Sequence, residues 1–190
     1  FNNCKKLVGN TPLVNYKDNI YCKFECYSPT GSIKDRICFY IIENAIKNNL
    51  INLNEKTPII EASSGNAGIS VSYIASLLNL PCKIVMPNDM SEERKKYIRL
   101  FGSELITVND GDFSGAIKLR NKLANENNMF IVNQFTSELN IECHYKTTGE
   151  EIVNQLNPLL PDILICGTGT GGTLMGCLLY TSPSPRDVCS

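Results

Sequence analysis

The sequence predicts an α/β protein built on a parallel sheet, and two observations carry this prediction. From residue 59 onward, short apolar strands alternate with amphipathic helices, a pattern typical of parallel sheets whose faces are covered. Two loops of small residues, Ser63 to Asn66 and Gly167 to Thr173, follow predicted strands. Ligands of such sheets bind at the carboxyl ends of the strands, so we expect a site at these loops.

The elements are predicted in chain order from the spacing of apolar residues. Residues 7–14 hold a turn, and residues 20–25 alternate as a strand does. Short apolar runs predict further strands at 59–62, 83–86, 105–108, 130–132 and a buried one at 163–166. Apolar residues at helical spacing predict helices after Lys34 and at 67–78, 91–102, 113–125 and 145–155. Residues 180–190 are polar with two prolines, and we interpret them as a non-native or disordered tail.

Composition argues against several other classes of protein. Of 190 residues, 43% are hydrophobic, and the formal net charge of -1 lacks the basic excess of a nucleic-acid-binding protein. No apolar run in the sequence is long enough to span a membrane. The nine cysteines form no Cys-x-x-Cys pair, so we expect reduced core thiols in the cytoplasm, with an organelle as the alternative. Cys22, Cys26 and His144 offer metal-binding atoms, but core packing explains them better and we predict no metal site.

A single lysine, Lys34, lies in the first turn of a predicted helix. Ser32 and Asp35 have the spacing of a capping box around it. The positive end of the helix dipole disfavours the charged form of Lys34. Chemistry that needs a free amine near neutral pH requires such a shift of the pKa. The alternative is an ordinary surface lysine.

The two loops of small residues offer different binding groups. The glycine-rich loop opens a helix, so its N–H groups suit a phosphate, and Gly167, Gly169 and Gly172 match a dinucleotide-binding pattern. A tight turn without ligand is the alternative there. The hydroxyls, amide and N–H groups of residues 63–66 suit a carboxylate, with simple N-capping as the alternative. A reactive amine, a phosphate site and a carboxylate site together match pyridoxal 5'-phosphate and an amino-acid substrate.

Motifs along the whole chain carry a resemblance to a known family. They are GNTPLV from Gly9, SPTGSIKDR from Ser28, EASSGNAG from Glu61, MPNDMSEERKKYIRLFGSEL from Met86, NQF from Asn133, HYKTTGEEI from His144 and GTGGT from Gly169. In this order they resemble the cysteine synthase (O-acetylserine sulfhydrylase) family. That family belongs to the tryptophan synthase β-like, fold type II group of pyridoxal phosphate enzymes, so the resemblance implies two α/β lobes with parallel sheets.

The resemblance implies roles for individual residues. Lys34 forms the Schiff base with the cofactor and acts as acid and base at the substrate α-carbon. The implied cofactor-binding residues are Lys34, Asn66, Gly169, Thr170, Gly171, Gly172 and Thr173. The implied substrate-binding residues are Ser63, Ser64, Gly65, Asn66 and Gln134. Ala67 stands where the family usually has threonine, so one hydroxyl donor to the substrate carboxylate is absent.

The implied reaction is a β-replacement that makes L-cysteine from O-acetyl-L-serine and sulfide. Cystathionine β-synthase, serine/threonine dehydratase and diaminopropionate synthase are rivals within the same fold. A nicotinamide-binding oxidoreductase would use the glycine pattern alone, and an inactive truncation product is a further alternative. The resemblance also implies a later segment facing the pyridine nitrogen and a homodimer when full length.

The resemblance finally implies a division into lobes. We expect residues 28–138 to form the lobe with the Schiff-base lysine and the substrate loop. Residues 1–27 and 139–179 would form an incomplete second lobe that binds the cofactor. The partners expected are therefore small molecules, the amino-acid substrate and sulfide, without nucleic acid or membrane.

Overall fold

The computed structural model describes residues 5–135 and 137–181. Within them the chain forms two compact units: unit one spans residues 41–133, and unit two combines residues 5–40 with residues 134–181. The lobes predicted from the sequence place residues 28–40 and 134–138 in the first lobe, whereas here they belong to unit two. Those lobe boundaries remain a prediction.

The first elements of the chain are a hairpin and a helix. Strands β1 (Leu13–Lys17) and β2 (Ile20–Lys23) pair in antiparallel fashion, with Leu13 opposite Lys23. A 3-10 turn at Glu25–Tyr27 follows, and helix α1 spans Lys34–Lys47. Its predicted apolar face is buried, because Ile37, Ile41, Ile42 and Ala45 are each at most 2% exposed.

Unit one is organised around a four-stranded parallel sheet. Its strands are β3 (Ile59–Ala62), β4 (Cys82–Pro87), β5 (Glu104–Val108) and β6 (Phe130–Ile131), in the spatial order β5-β4-β3-β6. Every residue of β3 is buried, as expected for a central strand covered on both faces. The predicted α/β class with a parallel sheet is confirmed.

Helices alternate with these strands. They are α2 (Asn66–Leu78), α3 (Glu92–Leu100) and α4 (Phe113–Asn127). Asn79 ends α2 in the left-handed conformation, which favours asparagine. Asp112 caps α4 by accepting a hydrogen bond from the N–H of Gly115 at 2.7 Å. The crossover order places the loop after β3 at the carboxyl end of the sheet, where the sequence predicted a site.

The later part of unit two is helical. Helix α5 (Glu138–His144) continues through a π-helical turn at Tyr145–Gly149 into α6 (Glu150–Leu156), and α7 spans Gly172–Thr181. The helix predicted over 145–155 therefore begins earlier and contains a wider turn. Residues 180 and 181 of the predicted tail belong to α7, whereas the rest of that prediction, 182–190, lies outside the described residues.

The strand predicted at 163–166 is wrong. These residues form no strand, and Ile163 and Ile165 are 79% and 90% exposed instead of buried. A strand needs a neighbour for its backbone hydrogen bonds. In the described part of unit two, the strands β1 and β2 pair only with each other. The apolar run is present in the sequence, but among the described residues of unit two no strand pairs with it.

The described helices are either too short or too polar to cross a membrane.

Candidate active site

Lys34 is the first residue of α1, as the sequence predicted. Its N–H donates to the Oγ of Ser32 at 3.3 Å. The carboxylate of Asp35 accepts from the N–H and the hydroxyl of Thr30 at 2.7 and 2.5 Å, which ties the preceding turn to the helix. Burial lowers the pKa of the Lys34 amine, while the smaller electrostatic interaction with Cys38 raises it. Burial is thus the physical cause that the structure shows for a more readily deprotonated lysine.

Two residues beyond Lys34, Arg36 forms a buried ion cluster that sequence reasoning missed. The guanidinium is 2% exposed. Its Nε and one terminal nitrogen donate to Glu25 at 2.7 and 2.8 Å, and both terminal nitrogens donate to Glu151 at 2.7 Å. Lys23 lies 2.8 Å from the same Glu151 carboxylate. These bidentate contacts fix the first turn of α1, and with it the backbone of Lys34.

The pKa values of Glu151 and Arg36 favour the charged form of each side chain. Burial alone would raise the pKa of Glu151, but hydrogen bonds from Arg36 and Lys23 hold it at about 2. Burial would likewise lower the pKa of Arg36, and its hydrogen bonds to Glu151 and Glu25 raise it above its usual value instead. Arg36 and Glu151 therefore stay ionised at neutral pH.

The serine loop follows β3 and opens α2 in unit one. The Oγ of Ser63 accepts hydrogen bonds from the N–H groups of Gly65 and Gly68, at 3.2 and 3.0 Å. This resembles the N-capping alternative. Because both contacts are donors to the oxygen, the hydroxyl proton of Ser63 stays available for another acceptor. Asn66 is exposed and Ser64 is half-buried, so both side chains are accessible.

Gln134 belongs to unit two and is 4% exposed. Its Oε1 is buried with no hydrogen-bond partner among the described residues. The preceding residue, Asn133, adopts a positive φ of 53° and donates its N–H to the buried carboxylate of Glu61 at 2.6 Å. Arg120 pairs with that carboxylate at 3.1 Å. A buried amide with unused hydrogen-bonding capacity is the kind of group that binds a polar ligand.

The glycine loop of unit two leads into α7. A Cβ at Gly169 would meet no atom within 4 Å, so the loop has open space beside it. Gly171 has a φ of +79°, where a glycine is favoured. The N–H of Gly172 donates to the Oγ1 of Thr170 at 3.4 Å. The predicted phosphate-binding residues therefore form an open turn at a helix N-terminus, the geometry that suits an anion.

Two residues of α5 contact this loop, and sequence reasoning missed this role. Asn140 donates from Nδ2 to the Oγ1 of Thr170 at 2.9 Å and to the backbone oxygen of Gln134 at 3.0 Å. The Nε2 of His144 lies 3.2 Å from the Oγ1 of Thr173. The one histidine of the sequence was a possible signal for His144, but no local pattern pointed to Asn140.

His144 is neutral at pH 7. Burial, with the positive charges of Arg36 and Lys34, lowers its pKa to about 3. Within the described residues, no group of three or more His, Cys, Asp or Glu side chains is arranged to hold a metal ion.

These residues fit a phosphorylated aldehyde cofactor. Unit two contains an amine with a lowered pKa, an open glycine turn with two threonine hydroxyls, and the buried amide of Gln134. The serine loop, which the sequence assigned to the substrate, belongs to unit one.

Comparison with known proteins gives one family. The family model described as "Pyridoxal-phosphate dependent enzyme" matches residues 5–187. Cysteine synthase B of Campylobacter jejuni is 42% identical over 176 residues, which cover 90% of this chain and 58% of that protein. Cysteine synthase of Buchnera aphidicola is 44% identical over 187 residues, covering 94% of this chain and 58% of that protein.

A solved structure agrees with these relatives. The hydrogen sulfide-producing enzyme of Fusobacterium nucleatum superposes with a TM-score of 0.86 at 42% identity, covering 94% of this chain and 60% of that one. The chain thus spans about 58% of the length of the curated relatives that it matches.

Proposed function

Because this chain belongs to the pyridoxal-phosphate dependent enzyme family, we propose that it binds pyridoxal 5'-phosphate through Lys34 and that the whole protein is a cysteine synthase. The observation that carries the proposal is the amine of Lys34, whose pKa is lowered by burial. Only an unprotonated amine attacks an aldehyde carbon, so burial prepares this residue for covalent attachment of the cofactor.

The glycine loop supplies the phosphate site. The N–H groups at the start of α7 carry partial positive charge, and the hydroxyls of Thr170 and Thr173 lie at the same turn. Gly169, Gly171 and Gly172 let the backbone come close to the phosphate oxygens. When bound, pyridoxal phosphate supplies an electron sink for charge that develops at the substrate α-carbon.

The serine loop and Gln134 supply substrate contacts in this proposal. The hydroxyl proton of Ser63 is left free by its two N–H partners, and it suits a carboxylate oxygen. Ser64, Gly65 and Asn66 add donors at the start of α2, and Asn66 also contacts the cofactor ring. The amide of Gln134 completes the carboxylate site.

The proposed reaction replaces acetate by sulfide. Lys34 removes the α-proton of O-acetyl-L-serine, the bond from the β-carbon to the acetate oxygen breaks, and acetate leaves. Hydrosulfide then adds to the β-carbon, and Lys34 returns the proton to the α-carbon to give L-cysteine. The protein contributes orientation and proton transfer, while the substrates balance as O-acetyl-L-serine plus hydrogen sulfide to L-cysteine plus acetic acid.

Covalent capture tests the cofactor assignment without relying on turnover. The chain is mixed with pyridoxal 5'-phosphate, reduced with borohydride and digested, and the modified peptide is identified by mass spectrometry. We expect modification at Lys34, and none in Lys34→Arg, whose guanidinium is not a comparable nucleophile. Lys47→Ala is the matched control, because Lys47 lies on the same helix with its side chain 67% exposed. Unchanged labelling in Lys34→Arg would overturn the assignment.

Substrate identity needs a separate assay. O-acetyl-L-serine is offered with sulfide, homocysteine or water as the second substrate, and the products are identified by mass. Cysteine with sulfide supports the proposal, whereas cystathionine or pyruvate indicates the rival activities. Saturable binding of NADH would favour the oxidoreductase alternative, and a chain ending at Ser190 that shows no activity at all would favour the inactive product.

A further inference from the structure

Helix α5 presents two side chains, Asn140 and His144, to the glycine loop. They lie four residues apart and therefore share one face of the helix. Asn140 contacts Thr170 and His144 contacts Thr173, the two threonines of the loop. Asn140 and His144 are only 3% and 2% exposed, so these contacts are shielded from water. Neither residue has a place in the reaction proposed above.

The orientation of the Asn140 amide follows from its partners. The backbone oxygen of Gln134 is only an acceptor, so the atom 3.0 Å away must be the amide nitrogen Nδ2. The same nitrogen donates its second proton to the Oγ1 of Thr170 at 2.9 Å. The other amide atom, Oδ1, is buried with no partner among the described residues. The amide nitrogen of Asn140 therefore donates one hydrogen bond to Gln134 and one to Thr170.

The orientation of the Asn140 amide determines which hydrogen bonds the Thr170 hydroxyl can make. A hydroxyl has two acceptor positions and one proton. The Oγ1 of Thr170 receives the Nδ2–H of Asn140 and, at 3.4 Å, the N–H of Gly172. With both acceptor positions used, the hydroxyl can only donate its proton to a third group. The open space beside the loop leaves room there for an anion.

His144 acts on Thr173 in the same way. Its Nδ1 lies 2.8 Å from the Oγ1 of Thr148, which is 3% exposed. If Nδ1 carried the proton, the buried hydroxyl proton of Thr148 would have no acceptor among the hydrogen bonds of the described residues, which is costly. Thr148 therefore donates to Nδ1, and the neutral ring carries its proton on Nε2. That proton points at Oγ1 of Thr173, whose own hydroxyl proton is then free to donate.

Two glycines of α7, Gly172 and Gly176, allow α5 and α7 to lie this close together. A Cβ at Gly172 would lie 2.1 Å from the Oδ1 of Asn140, and one at Gly176 would lie 2.6 Å from the Cβ of His144. Any larger residue at these two positions would push the helices apart and break the contacts to the threonines.

We propose that Asn140 and His144 are positioning residues that turn the hydroxyl protons of Thr170 and Thr173 toward the phosphate of the bound cofactor. The inference rests on the proposed function, because it takes the phosphate to be the anion at this loop. It adds that α5, a helix outside the loop, orients the loop hydroxyls as hydrogen-bond donors before the phosphate binds. Part of the affinity for the phosphate therefore depends on side chains of α5.

The test compares pyridoxal 5'-phosphate with pyridoxal, which lacks the phosphate. The dissociation constant of pyridoxal divided by that of pyridoxal 5'-phosphate, both measured by absorbance titration, isolates the contribution of the phosphate site. For Asn140→Leu we expect this ratio to fall by roughly 10- to 100-fold, the change that one charge-assisted hydrogen bond represents. Thr147→Val is the matched control, since its hydroxyl donates to the backbone oxygen of Cys143 at 2.7 Å and does not reach the loop.

A double-mutant cycle separates positioning from mere structural damage. Thr170→Ser keeps the hydroxyl and should keep the ratio, whereas Thr170→Val should lower it. Adding Asn140→Leu to Thr170→Val should then change the ratio no further, because Asn140 acts through that hydroxyl. Independent, additive losses would overturn the proposal. If neither ligand binds the unsubstituted chain, the proposed function itself fails, which is a different outcome.

The single histidine of the sequence makes its tautomer directly measurable. With ¹⁵N-labelled chain, a long-range ¹H–¹⁵N spectrum near neutral pH should show one protonated nitrogen, at Nε2. A protonated Nδ1 would mean that Thr173 gives its proton to the ring, which contradicts the role proposed for His144.

Discussion

Acidification should destabilise this protein through His144 before any carboxylate contributes much. The ring is 2% exposed, and burial with the nearby charges of Arg36 and Lys34 lowers its pKa from 6.5 to about 3. In the unfolded chain the ring takes up a proton near its ordinary pKa, while in the folded chain it stays neutral. The unfolded state therefore binds more protons, and stability is lost as the pH falls below 6.5 toward 3.

The size of the loss follows from the two pKa values. Between about pH 7.5 and about pH 4.5, proton linkage for one such group amounts to about 3 kcal/mol of unfolding free energy. Glu151 has a pKa of about 2 in the folded protein. Its loss of stability also comes on acidification, but it falls mainly below pH 4.5 and adds only about 0.4 kcal/mol in this interval. His144 is the only histidine in the sequence, so no other imidazole competes.

Urea unfolding at a series of pH values measures this dependence directly. His144→Gln removes the titrating ring while keeping an amide that can donate and accept. The variant is expected to be less stable near neutral pH but to lose about 3 kcal/mol less than the unsubstituted chain over the same acid interval. Parallel stability curves for the two proteins would refute the assignment of a buried neutral His144.

Two further predictions concern other buried groups. Arg36→Ala should lower the free energy of unfolding by about 3 kcal/mol, because the half-buried carboxylates of Glu25 and Glu151 lose their shared buried partner while Glu151 keeps Lys23; Arg99→Ala, at an exposed position, should change it by less than about 0.5 kcal/mol in the same urea titration. Iodoacetamide should label the exposed Cys26 quickly and leave Cys143 unmodified until the chain unfolds, since burial raises the pKa of the Cys143 thiol to about 12. Equal labelling rates in a peptide mass map would contradict the second prediction.

Local patterns were enough to predict the elements of unit one. The strand 59–62 is reproduced to the residue, and 83–86, 105–108 and 130–132 match β4, β5 and β6 within one residue at either end. The pattern works there because each strand pairs with at least one parallel neighbour, and the two central strands, β3 and β4, are almost entirely buried. The family resemblance read from the motifs is confirmed as well, by the family model and by the cysteine synthase relatives.

The same reasoning failed where the outcome depends on distant residues. The run at 163–166 is as apolar as β3, but Ile165 is 90% exposed because no neighbouring strand is present among the described residues of unit two. The pairing of Arg36 with Glu151 joins positions 115 residues apart, and Asn140 reaches Thr170 across 30 residues. Composition and periodicity carry no information on such pairs, and only the fold selects them. The roles assigned to the individual site residues therefore remain predictions.

One hydrogen-bonding arrangement recurs in both loops and explains why residue type alone was not enough. In the serine loop, two backbone N–H groups donate to the Oγ of Ser63. In the glycine loop, the Asn140 amide and a backbone N–H donate to the Oγ1 of Thr170. In each case two N–H groups occupy the acceptor positions of the hydroxyl oxygen, and only the hydroxyl proton is left for a further hydrogen bond. The neutral side chain can then only donate, which suits an anion. From the sequence alone, the hydroxyl of a serine or threonine can either donate or accept a hydrogen bond. Which of the two it does is decided by neighbours that only the folded chain supplies, and for Thr170 the decisive neighbour is an asparagine on another helix.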